Sequence, residues 1–127
     1  MWDLNWTETY DSRLKRLKKD HTQEVEQVLK NLDTYLTALK NGVKPMQVVK
    51  LPCVRNEQLG IHAIDQTPLR KRKKILRLYV YASEAEKILY LITFGDKDQQ
   101  SDDVRECCKF VRNVQKKIES KTGPSEQ

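Results

Sequence analysis

The stretch Ile75 to Asp103, ILRLYVYASEAEKILYLITFGDKDQQSDD, sets two strongly β-prone runs around a short polar turn and then breaks at a glycine. In the first run Leu76, Leu78, Val80 and Ala82 fall on one face of a strand, and Arg77, Tyr79 and Tyr81 fall on the other. The second run, Lys87 to Phe94, is apolar on both faces, as a central strand requires. The segment therefore reads as a β-hairpin that ends in a polar loop at the start of a helix. Directly upstream, Arg70-Lys71-Arg72-Lys73-Lys74 feeds five consecutive cations into a hairpin whose outer face carries an arginine and two tyrosines. That combination suits RNA or another polyanion.

Working outward, Trp6, Tyr10, Leu14 and Leu17 recur at helical spacing and predict an amphipathic helix over about Thr7 to Lys19. Asp20 with Gln23 resembles a capping box and opens a second helix. Its apolar stripe, Val25, Val28, Leu29, Leu32, Leu36 and Leu39, is closed by Gly42 and Pro45, so the first two helices form an antiparallel hairpin. The period then changes. Met46 to Leu51 and Gly60 to Gln66 read as short strands on either side of the polar stretch Arg55 to Gln58. After the hairpin, Ser101 is the expected N-cap of a last helix, with Asp102 and Asp103 in its first turn and Val104, Cys107, Cys108, Val111, Val114 and Ile118 on its apolar side. The expected fold is α+β: an N-terminal helical hairpin packed on a small antiparallel sheet of about four strands, then a C-terminal helix. Residues 1–120 are expected to form one domain and 121–127 a polar, disordered tail.

Composition bounds the function without choosing it. The chain has 127 residues, 38% apolar and 33% charged, with a net charge of +6, which permits nucleic acid, a phosphate-rich surface or an acidic protein segment as partner. Three cysteines, Cys53, Cys107 and Cys108, cannot all pair within the chain and have no Cys-x-x-Cys spacing; they read as free thiols of a cytoplasmic protein. The N-terminal residues lack the positive flank and apolar run of a signal peptide, and no segment approaches the roughly 20 apolar residues of a membrane span. Asp96, Asp98, Gln100 and Asp102 imitate a calcium loop, but Ser101 stands where glycine is needed and Cys107 where the closing glutamate belongs. His62 and Asp65, three apart in a strand, point to opposite faces, and His21 lies between the helices, so no metal site is expected. No phosphate-binding glycine loop or cofactor signature occurs, and none is expected.

The run Leu76-Arg77-Leu78-Tyr79-Val80-Tyr81, the turn, and Leu89-Tyr90-Leu91-Ile92-Thr93-Phe94-Gly95-Asp96-Lys97 resemble the C-terminal half of the RelE/ParE superfamily of toxins from type II toxin–antitoxin systems. The helical hairpin with its Arg-Leu-Lys-Arg-Leu-Lys-Lys run, from Arg13, looks like the N-terminal half of the same fold. The resemblance covers roughly Trp6 to Lys117. It implies a growth-arresting toxin paired with a cognate antitoxin protein. In the RelE branch such a toxin binds mRNA on the ribosome and inhibits translation as a metal-independent endoribonuclease. The attacking group is the neighbouring ribose 2′-hydroxyl, so the site needs a base, positive charge for the phosphorane and an acid for the leaving oxygen.

Carried over by position, the resemblance assigns phosphate stabilisation to Arg77, a basic role after the strand-ending glycine to Lys97, and a further catalytic place to His62. The basic run and the outer face of the hairpin make Arg70, Lys71, Arg72, Lys73, Lys74, Tyr79 and Tyr81 the expected RNA-binding set. The chain departs from the family pattern where Asp96 and Asp98 flank Lys97, and where Asp103 stands near the place of the family's acid or base. Those departures keep two alternatives open: a non-enzymatic toxin of this fold acting on a protein such as DNA gyrase, and a non-toxic module binding RNA or an acidic protein. Each residue also has a structural reading. Arg77 would sit equally well on a solvated strand face, Tyr79 and Tyr81 as cross-strand packing, His62 as a structural or exposed residue, and the basic run as surface charge.

Overall fold

The structure, a computed structural model, describes residues 1–69 and 74–122, the last two by backbone alone. Its elements follow the order β1 (Asp3–Trp6), α1 (Glu8–Asp20), α2 (Thr22–Lys40), α3 (Pro45–Val48), β2 (Val54–Asn56), β3 (Ile61–Ile64), β4 (Leu76–Ser83), β5 (Ile88–Asp96) and α4 (Gln100–Thr122). The fold is α+β, as the sequence predicts. The sheet has five strands in the order β1-β5-β4-β3-β2 and is mixed, because β1 runs parallel to β5 while the other pairs are antiparallel. This corrects the expected four-stranded antiparallel sheet.

The hairpin of β4 and β5 behaves as its alternation predicts. Leu76, Leu78, Val80 and Ala82 join Val25, Val28, Leu32, Tyr35 and Leu39 of α2 in one core, while Tyr79 and Ile92 join Val104, Cys107, Cys108 and Val111 of α4 in another. The sheet thus lies between the helical hairpin and α4. Opposite Tyr79 and Val80 the register shifts, so Thr93 faces Tyr79 and Leu91 faces Val80, with Ile92 as the extra residue of the bulge. That bulge lets β5 bury Leu89, Leu91 and Phe94 on one side and Ile92 on the other.

Three local expectations are corrected. Trp6 belongs to β1 and is exposed rather than starting the first helix's apolar stripe; Thr7 is that helix's N-cap, its hydroxyl accepting from the Tyr10 N–H at 3.0 Å. The same hydroxyl donates to the Ile92 carbonyl, which ties the cap to β5. Asp20 lies inside α1, and α2 begins after His21 without a side-chain cap, so no capping box forms. Met46 to Leu51 is no strand: Pro45, whose fixed φ suits the first helical position, opens the short helix α3, and pairing waits until Val54. At the other end α4 begins at Gln100, one residue before the expected cap at Ser101, and reaches Thr122.

The junction of α1, β5 and α4 rests on a missing side chain. Gly95 leaves room for Asp103, whose Oδ1 accepts from Arg13 Nη1 at 2.7 Å; the same nitrogen lies 3.5 Å from the Phe94 carbonyl. A Cβ at position 95 would stand 2.2 Å from Asp103 Oδ2, inside any tolerable contact. Gly95→Ala is therefore expected to cost about 1–3 kcal/mol by overpacking, read as a lower urea midpoint with unchanged slope. In an Arg13→Ala background the same substitution should cost measurably less, because Asp103 is then free to turn away. Equal costs in both backgrounds would mean that the two residues do not share this contact.

Candidate functional site

The site expected from the sequence is split by the sheet. Arg77 pairs across the ladder with Gly95, on the face that α4 covers. His62 pairs with Val80, on the face of the helical hairpin, where its Nδ1 lies 2.8 Å from the Tyr35 hydroxyl and the two rings meet edge to face. Because strand side chains alternate, His62 and Arg77 cannot meet, and the catalytic place assigned to His62 is corrected. Burial pushes its pKa below the ordinary histidine value. A neutral, hydrogen-bonded core histidine is the result.

Arg77 is only 4% exposed. Its guanidinium lies beside Tyr79, whose hydroxyl burial pushes up to about 12, with Asp103 and Glu57 adding to the rise and Arg77 opposing it. Arg77, Tyr79, Asp103 and Glu57 therefore share one electrostatic neighbourhood under the first turns of α4. Arg77 Nε, Thr93 Oγ1 and Asp103 Oδ2 are buried there without a hydrogen-bond partner among the described residues. Buried polar atoms of that kind are costly, which sets this face apart from an ordinary core.

Lys97 emerges two residues beyond Gly95, in a single 3-10 turn over Lys97–Gln99, and is exposed. Its acidic neighbours are occupied elsewhere. Lys74 reaches Asp96 at 3.7 Å and Asp98 at 3.3 Å, which raises its own pKa, and Lys97 has no ion-pair partner among the described residues. The expected offset of Lys97 by Asp96 and Asp98 is thus taken up by Lys74. Lys97 lines a groove of about 770 Å³ together with Glu57, Gln58, Gln100, Arg105 and Arg112. Glu57 accepts from Gln100 Nε2 at 3.4 Å, so its carboxylate is tied to the first residue of α4. The groove offers two carboxylates, Glu57 and the Lys74-paired Asp98, beside a set of cations.

Other expected RNA contacts are placed differently. Tyr79 is wholly buried and packs as core, so it presents no ring for stacking. Tyr81 is half-buried and lies against its cross-strand neighbour Tyr90, with ring centres 6.4 Å apart, and Tyr90 meets Phe110 of α4 edge to face. Both tyrosines therefore take the packing alternative. Arg70, Lys71, Arg72 and Lys73 lie outside the described residues, and Lys74 serves the ion pairs with Asp96 and Asp98. All three cysteines are buried and unpaired, and burial pushes Cys107 up to about 12, with Asp103 and Cys108 adding, so its thiol is no nucleophile at neutral pH.

Glu57, Arg105 and Arg112 were not singled out by the sequence. Glu57 lies 20 positions before Arg77 in a polar turn, and only the strand order brings the two near one end of the sheet. Arg105 and Arg112 were legible as polar positions of an amphipathic helix, but nothing local marks the groove they border. Among the described residues no group of three or more His, Cys, Asp or Glu side chains is arranged to hold a metal, and no helix is long and apolar enough to cross a membrane. Compared with known proteins, the chain matches no family model, no curated protein and no solved structure.

The buried histidine gives a pH signature. Above the ordinary value of 6.5 both folded and unfolded rings are neutral and the packing of His62 contributes fully. As pH falls below 6.5, the unfolded chain takes up a proton that the native ring resists, so stability declines toward the lowered folded pKa. Urea midpoints are expected to drop between pH 6.5 and 5.5, before most carboxylates titrate. In His62→Gln that slope should flatten even though the variant starts less stable; an unchanged slope would assign the titration to another group.

Proposed function

We propose that the protein is a cytoplasmic toxin of a type II toxin–antitoxin pair, of the RelE/ParE kind, and that it halts translation by metal-independent cleavage of mRNA on the ribosome. What supports the reading most is the end of the β4–β5 ladder, where Arg77 stands opposite Gly95, Lys97 follows two residues later, and Lys97 and Glu57 line one groove. Glu57 is the base: its carboxylate removes the proton of a ribose 2′-hydroxyl. The 2′-oxygen then attacks the adjacent phosphorus, and the bond to the 5′-oxygen breaks. Lys97 offsets the charge of the phosphorane and supplies the proton that the leaving oxygen takes. The products are a 2′,3′-cyclic phosphate and a 5′-hydroxyl end. Arg77, buried beside Tyr79 and in one electrostatic neighbourhood with Glu57, adds positive potential through a medium less polar than water.

A cognate antitoxin that covers this end of the sheet with an acidic segment would silence it, since the groove's cations favour association with negative charge. The second reading, a non-enzymatic toxin acting on a protein such as DNA gyrase, draws on the depth of Arg77 and the removal of His62 to the other face. A non-toxic binding module is the third.

Induction of the gene, with mapping of transcript ends, separates them. Wild type is expected to arrest growth and to create new 5′-hydroxyl ends in mRNA, and co-expression of an adjacent antitoxin gene should restore growth. Glu57→Gln should lower cleavage by about 10² or more, the usual contribution of a general base. Lys97→Ala should lower it in the same direction. Arg77 is a poorer probe than its strand position alone suggests, because truncating a buried side chain also leaves a cavity. Arrest that persists in Glu57→Gln without new ends would move the protein to the non-enzymatic branch, and no arrest in wild type would remove the toxin reading.

A further inference from the structure

Helix α4 carries a line of cations that cleavage chemistry does not require. Arg105, Lys109, Arg112 and Lys116 follow at i, i+4, i+7 and i+11, so they occupy about 60° of the helix surface, to one side of its buried Val104, Cys107, Cys108 and Val111. All four are exposed. Arg105 alone has an ion pair among the described residues, to Asp102 at 3.6 Å, and both of those side chains are largely in solvent, where such a pair holds weakly. At 1.5 Å of rise per residue the line runs for about 16 Å, one cation every ~5 Å, a charge density that approaches that of a single nucleic-acid strand. Its first three members, Arg105, Lys109 and Arg112, border the same groove as Lys97 and Glu57.

Resting on the reading of that groove as an RNA site, we infer that α4 is a phosphate track: Arg105, Lys109, Arg112 and Lys116 bind the backbone of single-stranded RNA on one side of the phosphodiester held between Lys97 and Glu57. Continuity decides between RNA and an acidic peptide. RNA offers the groove both kinds of group it can bind, phosphates for the cations and ribose hydroxyls that donate to Glu57, whereas an acidic peptide offers side chains for the cations alone. Gln58 and Gln100 add amide groups that can bond to sugar hydroxyls or base edges without selecting one base. The two arginines can grip phosphate oxygens bidentately. Recognition of this kind positions a strand without reading its sequence.

The test uses the full chain and a fluorescent single-stranded RNA dodecamer with its 2′-hydroxyls unmodified, in the absence of ribosomes, its length checked on a gel after each titration. Anisotropy titrations from 50 to 200 mM salt compare wild type with the triple variant Arg105→Gln, Lys109→Gln, Arg112→Gln, which keeps long, helix-favouring side chains. Loss of three phosphate contacts should flatten the log–log salt slope by about 2, so that over this range wild-type affinity falls roughly 20-fold more than that of the variant. The variant Arg16→Gln, Lys18→Gln, Lys19→Gln, an equal loss of charge from exposed positions of α1 away from the groove, should keep the wild-type slope; because binding alone is read, failure of the track is separated from failure of the chemistry. An unchanged slope in the triple variant overturns the inference. So does a fluorescent glutamate decamer that binds wild type as tightly as the RNA and loses its affinity in the triple variant, because the line would then belong to an acidic protein.

Discussion

The contact between Arg13 and Asp103 at Gly95 is the constraint on which the rest of the molecule depends. It joins residues 90 positions apart, and it brings α1, the end of β5 and the first turns of α4 to one point. Asp103 is almost fully buried while Arg13 keeps some access to water, so the pair avoids the full cost of taking two charges into the interior. Removing one partner would leave a buried charge, which makes the junction a poor place for variation. The direction of α4 follows from it. So does the groove, because the turn that carries Lys97 and the face that carries Arg105 are the two sides of the same corner.

Strand β5 is the second organising element, and its surroundings explain why it is apolar on both faces. It is paired on each edge, to β1 and to β4, and covered by helices above and below. This much was legible: the two β-prone runs, the inward set Leu76, Leu78, Val80 and Ala82, the helical stripes and the apolar side of α4 all follow from period 2 or period 3.6 in the sequence. Strand β1 was not legible. Its four residues are all exposed, so burial leaves no alternation in them, and what makes them a strand is pairing with a segment more than 80 residues away. Trp2 is pinned beside that pairing, with Lys87 Nζ 5.1 Å above its ring, a contact that no local pattern announces. The misreading of Met46 to Leu51 has the opposite cause, since a β-branched pair, Val48 and Val49, outweighed the helix-opening proline before it.

The candidate site was legible to the extent that parity along a strand is legible. Arg77 and Lys97 do lie toward one end of the hairpin, as the run around Gly95 implies. Sequence could not say that α4 would close over that face, turning Tyr79 into core and leaving Arg77 at 4% exposure. Nor could it say that Lys74 would engage Asp96 and Asp98, which restores the field around Lys97 that the bare sequence cancels. His62 failed for a simpler reason: an alignment loose by one residue on a strand exchanges the two faces of the sheet.

The two faces of the sheet differ in how their polar groups are satisfied, although His21 Nδ1, between α1 and α2, also lacks a partner among the described residues. On the hairpin side His62 has Tyr35, Asn31 donates to the Asp65 and Thr67 carbonyls at 2.7 and 2.8 Å, and Gln66 accepts from the Leu76 N–H at 2.9 Å. On the α4 side Arg77 Nε, Thr93 Oγ1 and Asp103 Oδ2 lack partners among the described residues. Folding alone would favour an apolar residue over a buried, incompletely bonded arginine, since a hydrophobic isostere often costs nothing. Arg77 keeps Tyr79 and Asp103 as close neighbours instead, so its charge stays in the electrostatic neighbourhood under α4. The local rule of polar satisfaction is broken at His21 Nδ1 between α1 and α2 and, more heavily, under α4, where Arg77, Tyr79, Thr93 and Asp103 each leave a buried polar atom without a partner among the described residues.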